Sequence, residues 1–246
     1  MKMEIIGPLL LSLLAGLSTL IGIIFIYIRT NKVGEYIVFF LSFSMTMMIS
    51  ISLFELIPNS IINMINEYKC YGIIISILIF LLGYQSVYFI NKKIKNNNSS
   101  LYRIGILSMI SLILHNIPEG IAVFMSAYKN IKLGLKICIA IILHNIPEGI
   151  SIALPLYYSG ESRGVCIKYT LLSAIAEPLG ALLSIIFLRR VVTNISLSYI
   201  LLFVSGIMIC LSINDILKEI IKYNHKKYMI IGIFFSLIIS LLLILI

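Results

Sequence analysis

Eight separate stretches of this chain run almost free of charge, each long enough to cross a bilayer as a helix, and nothing else restricts the fold as much. A hydrocarbon core about 30 Å thick takes roughly 20 apolar residues at about 1.5 Å of rise each. Breaks in the apolar pattern place the spans at 5–28, 36–57, 71–91, 102–126, 132–157, 164–188, 197–219 and 228–246. In lipid every backbone N–H and C=O must be satisfied internally, which leaves helices or closed barrels, and runs of this length are helical. The expectation is an all-α membrane protein, a bundle of about eight transmembrane helices forming one domain over residues 1–246. Charged residues make up 12% of the 246 positions, about half the share in a soluble domain, and the gaps leave no room for a second domain.

The net charge of +9 does not point to nucleic acid, because the basic residues fall in the short gaps between apolar runs. There they set membrane orientation. Twelve of the nineteen Lys and Arg residues follow spans one, three, five and seven: Arg29, Lys32, Lys92, Lys93, Lys95, Arg103, Arg163, Lys168, Lys218, Lys222, Lys226 and Lys227. This bias puts those gaps in the cytoplasm and both termini outside it. The first apolar run exceeds the about 7–15 residues of a signal-peptide core, and Arg29 and Lys32 follow it, so it reads as a retained span. Tyrosines near the predicted ends, Tyr36, Tyr71, Tyr102, Tyr128, Tyr157, Tyr158, Tyr199, Tyr223 and Tyr228 among them, suit the headgroup zone. Cys70, Cys138, Cys166 and Cys210 are scattered, without a C-x-x-C pair, and read as small apolar residues. The longest polar stretch, residues 91–103, is expected to be a mobile loop.

Against this background the hexapeptide HNIPEG stands at 115–120 and again at 144–149, at the middle of spans four and five. An ionisable side chain at the bilayer centre costs roughly 2.5–3.5 kcal/mol or more, so such residues pair, reach water or serve a function. The chain has three histidines, His115, His144 and His225, and two of them lie in the repeated word; His225 sits in a basic gap and is expected to be solvated. His115 and Glu119 are four apart, as are His144 and Glu148, so each pair shares a helix face. Two such faces offer two imidazoles and two carboxylates, the donor types and number of a tetrahedral zinc site. Pro118 and Pro147 are expected to bend their helices and free a carbonyl toward the cavity. Gly120 and Gly149 would let neighbouring helices come close. One copy alone could be a hydrogen-bonded packing device; two copies at matching depth favour metal.

Three further places carry polar residues. Glu177, followed by Pro178, sits mid-span in SAIAEPLGA and would add a third carboxylate and its own helix break, unless it only bonds a neighbouring Ser. In span two, Met48 lies at mid-depth, a soft ligand or a packing residue, and Glu55 lies toward the outer end, a cation collector or a carboxylate reaching the interface. Asn214 and Asp215 lie near the cytoplasmic end of span seven, an exit site or a partner for Lys218.

The doubled HNIPEG followed by the Ala-Glu-Pro segment resembles the ZIP family of divalent-metal transporters, in particular an eight-spanning bacterial branch of about this length. The likeness extends to LFELIP in span two and GIMICLSINDIL in span seven, and so covers essentially the whole chain. It implies a binuclear centre halfway across the membrane. One site would use His115, Glu119, His144 and Glu148, with Met48 as a weak ligand; the other would use Asn116, Asn145 and Glu177, with Glu119 and Glu148 as bridges. It further implies movement of zinc into the cytoplasm, with iron, manganese, cobalt or cadmium as other cargo. Spans one, four, five and six would shift against two, three, seven and eight, in a multi-pass inner-membrane protein that can form homodimers. Some family members have an acidic residue where Asn145 stands, and many have a His-rich loop between spans three and four, where this chain has Asn and Lys. The alternatives are an intramembrane zinc-dependent hydrolase and a sensor or structural metal protein. Against the hydrolase, H-E-x-x-H is absent and no Ser, Cys or Asp stands out as nucleophile or base.

Overall fold

A computed structural model describes residues 2–28, 30–93, 99–187 and 194–245. The described residues are helical nearly throughout, without strands. They form eight rods. α1 runs from Lys2–Ser18 into a 3₁₀ stretch, Thr19–Tyr27. α2 runs from Val33–Ile51 through a π-helical turn, Ser52–Leu56, into Ile57–Tyr68. α3 is Tyr71–Lys93, α4 Ser100–Lys129, α5 Ile131–Tyr158 and α6 Arg163–Phe187. α7 is Asn194–Leu211 with a second π turn, Ser212–Ile216, and a last segment, Leu217–Tyr223; α8 is Lys226–Leu245. Among the described residues six helices are long and apolar enough to cross a membrane, those bearing the repeated word included. Because the rods alternate in direction, both termini lie at one end of the bundle, together with the Asn130 turn between α4 and α5.

Several expected boundaries shift. Span two does not stop at 57: Pro58 occupies the first turn of the helix that resumes after the π turn, where a missing N–H is harmless, and the rod continues to Tyr68. Glu55 therefore lies well inside its rod and not near its end. Span seven likewise runs on to Tyr223. The loop expected at 91–103 is shorter, since α3 reaches Lys93 and α4 starts at Ser100, where the Ser99 hydroxyl accepts from the Tyr102 N–H at 3.2 Å. Residues 94–98 lie outside the described residues, as do Arg29, Arg189 and Arg190 of the charge count. α4, α5 and α6 stay helical through Pro118, Pro147 and Pro178, so the helix break expected at Pro178 is not found. Dense packing by neighbouring helices tolerates the missing bonds, and one of the nearby carbonyls, that of Pro147, accepts the Ser44 hydroxyl at 2.8 Å.

The rods sort into two blocks. Each of α1, α4, α5 and α6 touches the other three. α2 touches α3, α7 and α8, and α3 also packs on α7. Between the blocks, α2 meets α5 and α4 meets α7. The second block is held by an apolar cluster that includes Leu41, Met47, Met48, Val204, Met208 and Ile216. In the first, small residues bring backbones together. A Cβ on Gly120 would sit 1.8 Å from the Glu177 carbonyl oxygen, and one on Gly149 would sit 1.9 Å from that of Thr19. Glycine alone fits at either crossing, as the sequence suggests. Large apolar residues such as Leu82, Phe89, Ile186 and Phe234 face outward over the bundle, as lipid requires.

Candidate metal centre

The crossing of α4 and α5 brings the two repeated words face to face. Glu119 Oε1 lies 2.9 Å from His115 Nε2 and 2.9 Å from His144 Nε2, so one carboxylate oxygen sits between both imidazoles. Glu148 Oε1 lies 3.8 Å from His115 Nε2, and the two rings are 6.3 Å apart at 41°. A zinc ion bonded at about 2.0–2.2 Å holds neighbouring donors roughly 3.3–3.5 Å apart. His115, His144 and Glu148 each offer one donor atom within 4.8 Å of the others, so small side-chain adjustments bring them to that spacing. All of these residues are buried.

The asparagines are fixed by their amide nitrogens. Asn116 Nδ2 donates to the Ser173 carbonyl at 3.2 Å; Asn145 Nδ2 donates to the Ala15 carbonyl at 2.8 Å and to Glu177 Oε2 at 2.9 Å. Each amide oxygen is thereby held in place. The Asn116 and Asn145 Oδ1 atoms, His115 Nδ1, Glu119 Oε2, both Glu148 oxygens and Glu177 Oε1 are buried without a hydrogen-bond partner among the described residues. Buried polar atoms are ordinarily satisfied, and a group of acceptors left open at one place has the chemistry of a cation site. Glu177 is not simply bonded to a serine: its carboxylate takes the Asn145 amide, and it is its backbone carbonyl that accepts from Ser12 at 3.2 Å.

A cavity of about 360 Å³ leads to this cluster from the end of the bundle that carries the termini. Glu55, Asn59, Leu133, Lys136 and Ala122 line its wall, and Glu119 and His144 lie at its deep end.

Residues 91–246, more than half of the chain, match the family described as ZIP Zinc transporter. The chain belongs to the ZIP family. It is 36% identical to a protein of Chlorobium luteolum over 92% of both chains, 34% identical to one of Enterobacter sp. over 90% of both, and 31% identical to one of Streptococcus mutans over 97% of both; each is named Zinc transporter ZupT. ZIP proteins are membrane transporters and not enzymes, so the hydrolase reading is not favoured.

The remaining residues weighed for a role in this ZIP chain are more scattered. Met48 is fully buried in the apolar cluster of the second block. Asn214 Nδ2 donates to the Tyr84 hydroxyl at 2.7 Å, and Asp215 faces Arg103, with Nε to Oδ1 at 3.9 Å. His225 is half-buried, not fully solvated, because Gly34 packs against its ring. The Tyr36 hydroxyl donates to the Phe25 carbonyl at 2.7 Å. Sequence reasoning passed over Ser44, Ser173 and the Ala15 carbonyl, and counted Arg103 only as a basic residue of a gap between spans.

Proposed function

We propose that the chain imports zinc across the bacterial inner membrane through a binuclear centre. The observation that carries this reading is the pooling of His115, Glu119, His144 and Glu148 from two rods at the deep end of a cavity. The Lys and Arg bias of the gaps supports placing the termini, and hence the cavity mouth, outside the cytoplasm. One site uses His115, Glu119, His144 and Glu148. The second uses the oriented oxygens of Asn116 and Asn145 with Glu177, and Glu119 and Glu148 bridge the two.

A hydrated cation is collected near Glu55 and sheds water where the carboxylates and imidazoles replace it. Glu119, Glu148 and Glu177 give −3 against +4 for two divalent ions, so the loaded centre carries only about +1 while the empty one strongly attracts a cation. Release passes Asp215 and Asn214. Mixed imidazole and carboxylate donors suit zinc and accept iron, manganese, cobalt or cadmium, and the protein works as a homodimer within the bilayer. Uptake by proteoliposomes loaded with a zinc-sensitive dye tests this. The wild-type chain should accumulate zinc and the His115→Ala, Glu148→Ala double variant should not; equal uptake by the two would refute the assignment.

A further inference from the structure

The two π turns are equivalent elements in rods of opposite direction. Each is the sequence Ser-x-x-acid-x, with Glu55 fourth in Ser52–Leu56 and Asp215 fourth in Ser212–Ile216, and each follows a methionine, Met48 or Met208, by the same four residues. Lone π turns inside helices concentrate at functional sites. The block that carries the metal centre has the matching regularity. Ala15 and Thr19 meet Asn145 and Gly149, just as Ser173 and Glu177 meet Asn116 and Gly120.

At one end this symmetry is closed. Asp215 is covered, its side chain 10% exposed, with Arg103 of α4 beside it. One turn further along α4, Leu107 is buried in the apolar cluster with Ile216 and Ile220. At the other end it is open. Glu55 is exposed on the cavity wall and forms no ion pair among the described residues. Arg103 stands twelve residues before His115, and the residue twelve before His144 is Lys132, exposed and likewise without an ion pair among the described residues. By the same count the counterpart of Leu107 is Lys136, which stands exposed on the cavity wall near Glu55.

We propose that Lys132 and Glu55 form the outer partner of the Arg103–Asp215 ion pair, made when the cavity closes and broken when it opens. The inference rests on the transport reading above. Both pairs join a rod of the metal-bearing block, α4 or α5, to a rod of the other block, α7 or α2. A shift of one block against the other that parts Arg103 from Asp215 carries Lys132 toward Glu55. Each carboxylate is then exposed to collect or release a divalent ion on the open side, and capped by a tethered cation on the closed side. Closure would also cover Lys136, and a lysine leaving water requires a carboxylate nearby, which Glu55 supplies.

The test uses the full chain in proteoliposomes, with Cys70→Ser to remove the exposed native thiol and Ala122→Cys as a reporter on the cavity wall, labelled by a membrane-impermeant maleimide. Asp215→Asn should slow labelling about fivefold, the shift that one partly exposed ion pair can impose. Adding Lys132→Gln or Glu55→Gln should restore the rate, and the charge swap Glu55→Lys with Lys132→Glu should slow it again. Labelling that is unaffected by Asp215→Asn, or that stays slow after Lys132→Gln, overturns the proposal. Arg103→Gln replaces Asp215→Asn if the latter does not give a monodisperse protein. Zinc uptake by the wild-type chain is measured alongside: its absence overturns the transport reading alone, while the labelling pattern still decides the gate.

Discussion

The two copies of HNIPEG share every residue, yet the fold gives them different surroundings. His115 has no exposed surface and stands between Glu119 and Glu148, while His144 lies at the deep end of the cavity. Glu119 reaches both imidazoles with one oxygen, whereas Glu148 leaves both oxygens without hydrogen bonds among the described residues. Asn145 binds a carboxylate and a backbone carbonyl; among the described residues Asn116 binds Ser173 of α6 alone. What the copies share is packing, since each glycine sits on the carbonyl of a crossing rod. The repeat thus fixes the scaffold twice, and the third partner, Glu177 for one copy and Thr19 for the other, makes the chemistry unequal.

That division can be broken or sharpened by substitution. The largest effect should come where the copies agree. Gly120→Ala and Gly149→Ala each drive a methyl into a backbone carbonyl, so the rods must part, at a cost of about 3 kcal/mol or more; both should lose monodisperse protein in size-exclusion chromatography. A tolerant Gly149→Ala would mean that the α1–α5 crossing is looser than its partner. Next comes Glu119→Ala, which removes the oxygen shared by both histidines and should lower zinc uptake by roughly 100-fold or more, beyond what outer-shell changes cost. The asparagines should then separate. Asn145→Ala frees Glu177 and should abolish one of two zinc equivalents in calorimetric titration, whereas Asn116→Ala should weaken that equivalent by about tenfold. Equal losses would show that the copies contribute alike. The smallest effect belongs to Ser44→Ala, which removes one bond to the Pro147 carbonyl and should lower thermal stability by about 1 kcal/mol, with uptake unchanged.

Much of this was readable beforehand, for a physical reason. Hydropathy reports the transfer of side chains into lipid, so the eight apolar rods and the doubled word midway along two of them follow directly from residue types. The four-residue spacing of His and Glu then places both on one face. Backbone hydrogen-bond register leaves no such mark. Nothing in TLIGIIFIY announces a 3₁₀ stretch, and Pro58 reads like a terminator when it begins a resumed helix. That error placed Glu55 near the end of its rod, which in fact runs on to Tyr68. The contact of Asp215 with Arg103 was equally hidden, because Arg103 comes from another rod. Contacts between blocks depend on how the rods cross, and a single sequence does not state that.

The 3₁₀ stretch in α1 makes that rod a triangular prism where its neighbours are cylinders. At three residues per turn, side chains stack in straight rows. Ile21, Ile24 and Tyr27 form one exposed edge, while Thr19 with Gly22 and Ile23 with Ile26 form two inward ones. At about 2.0 Å of rise per residue in place of about 1.5 Å, the prism is also slimmer and longer than a coil of the same nine residues would be. It fits as a wedge where a full-width helix would hold α5 away.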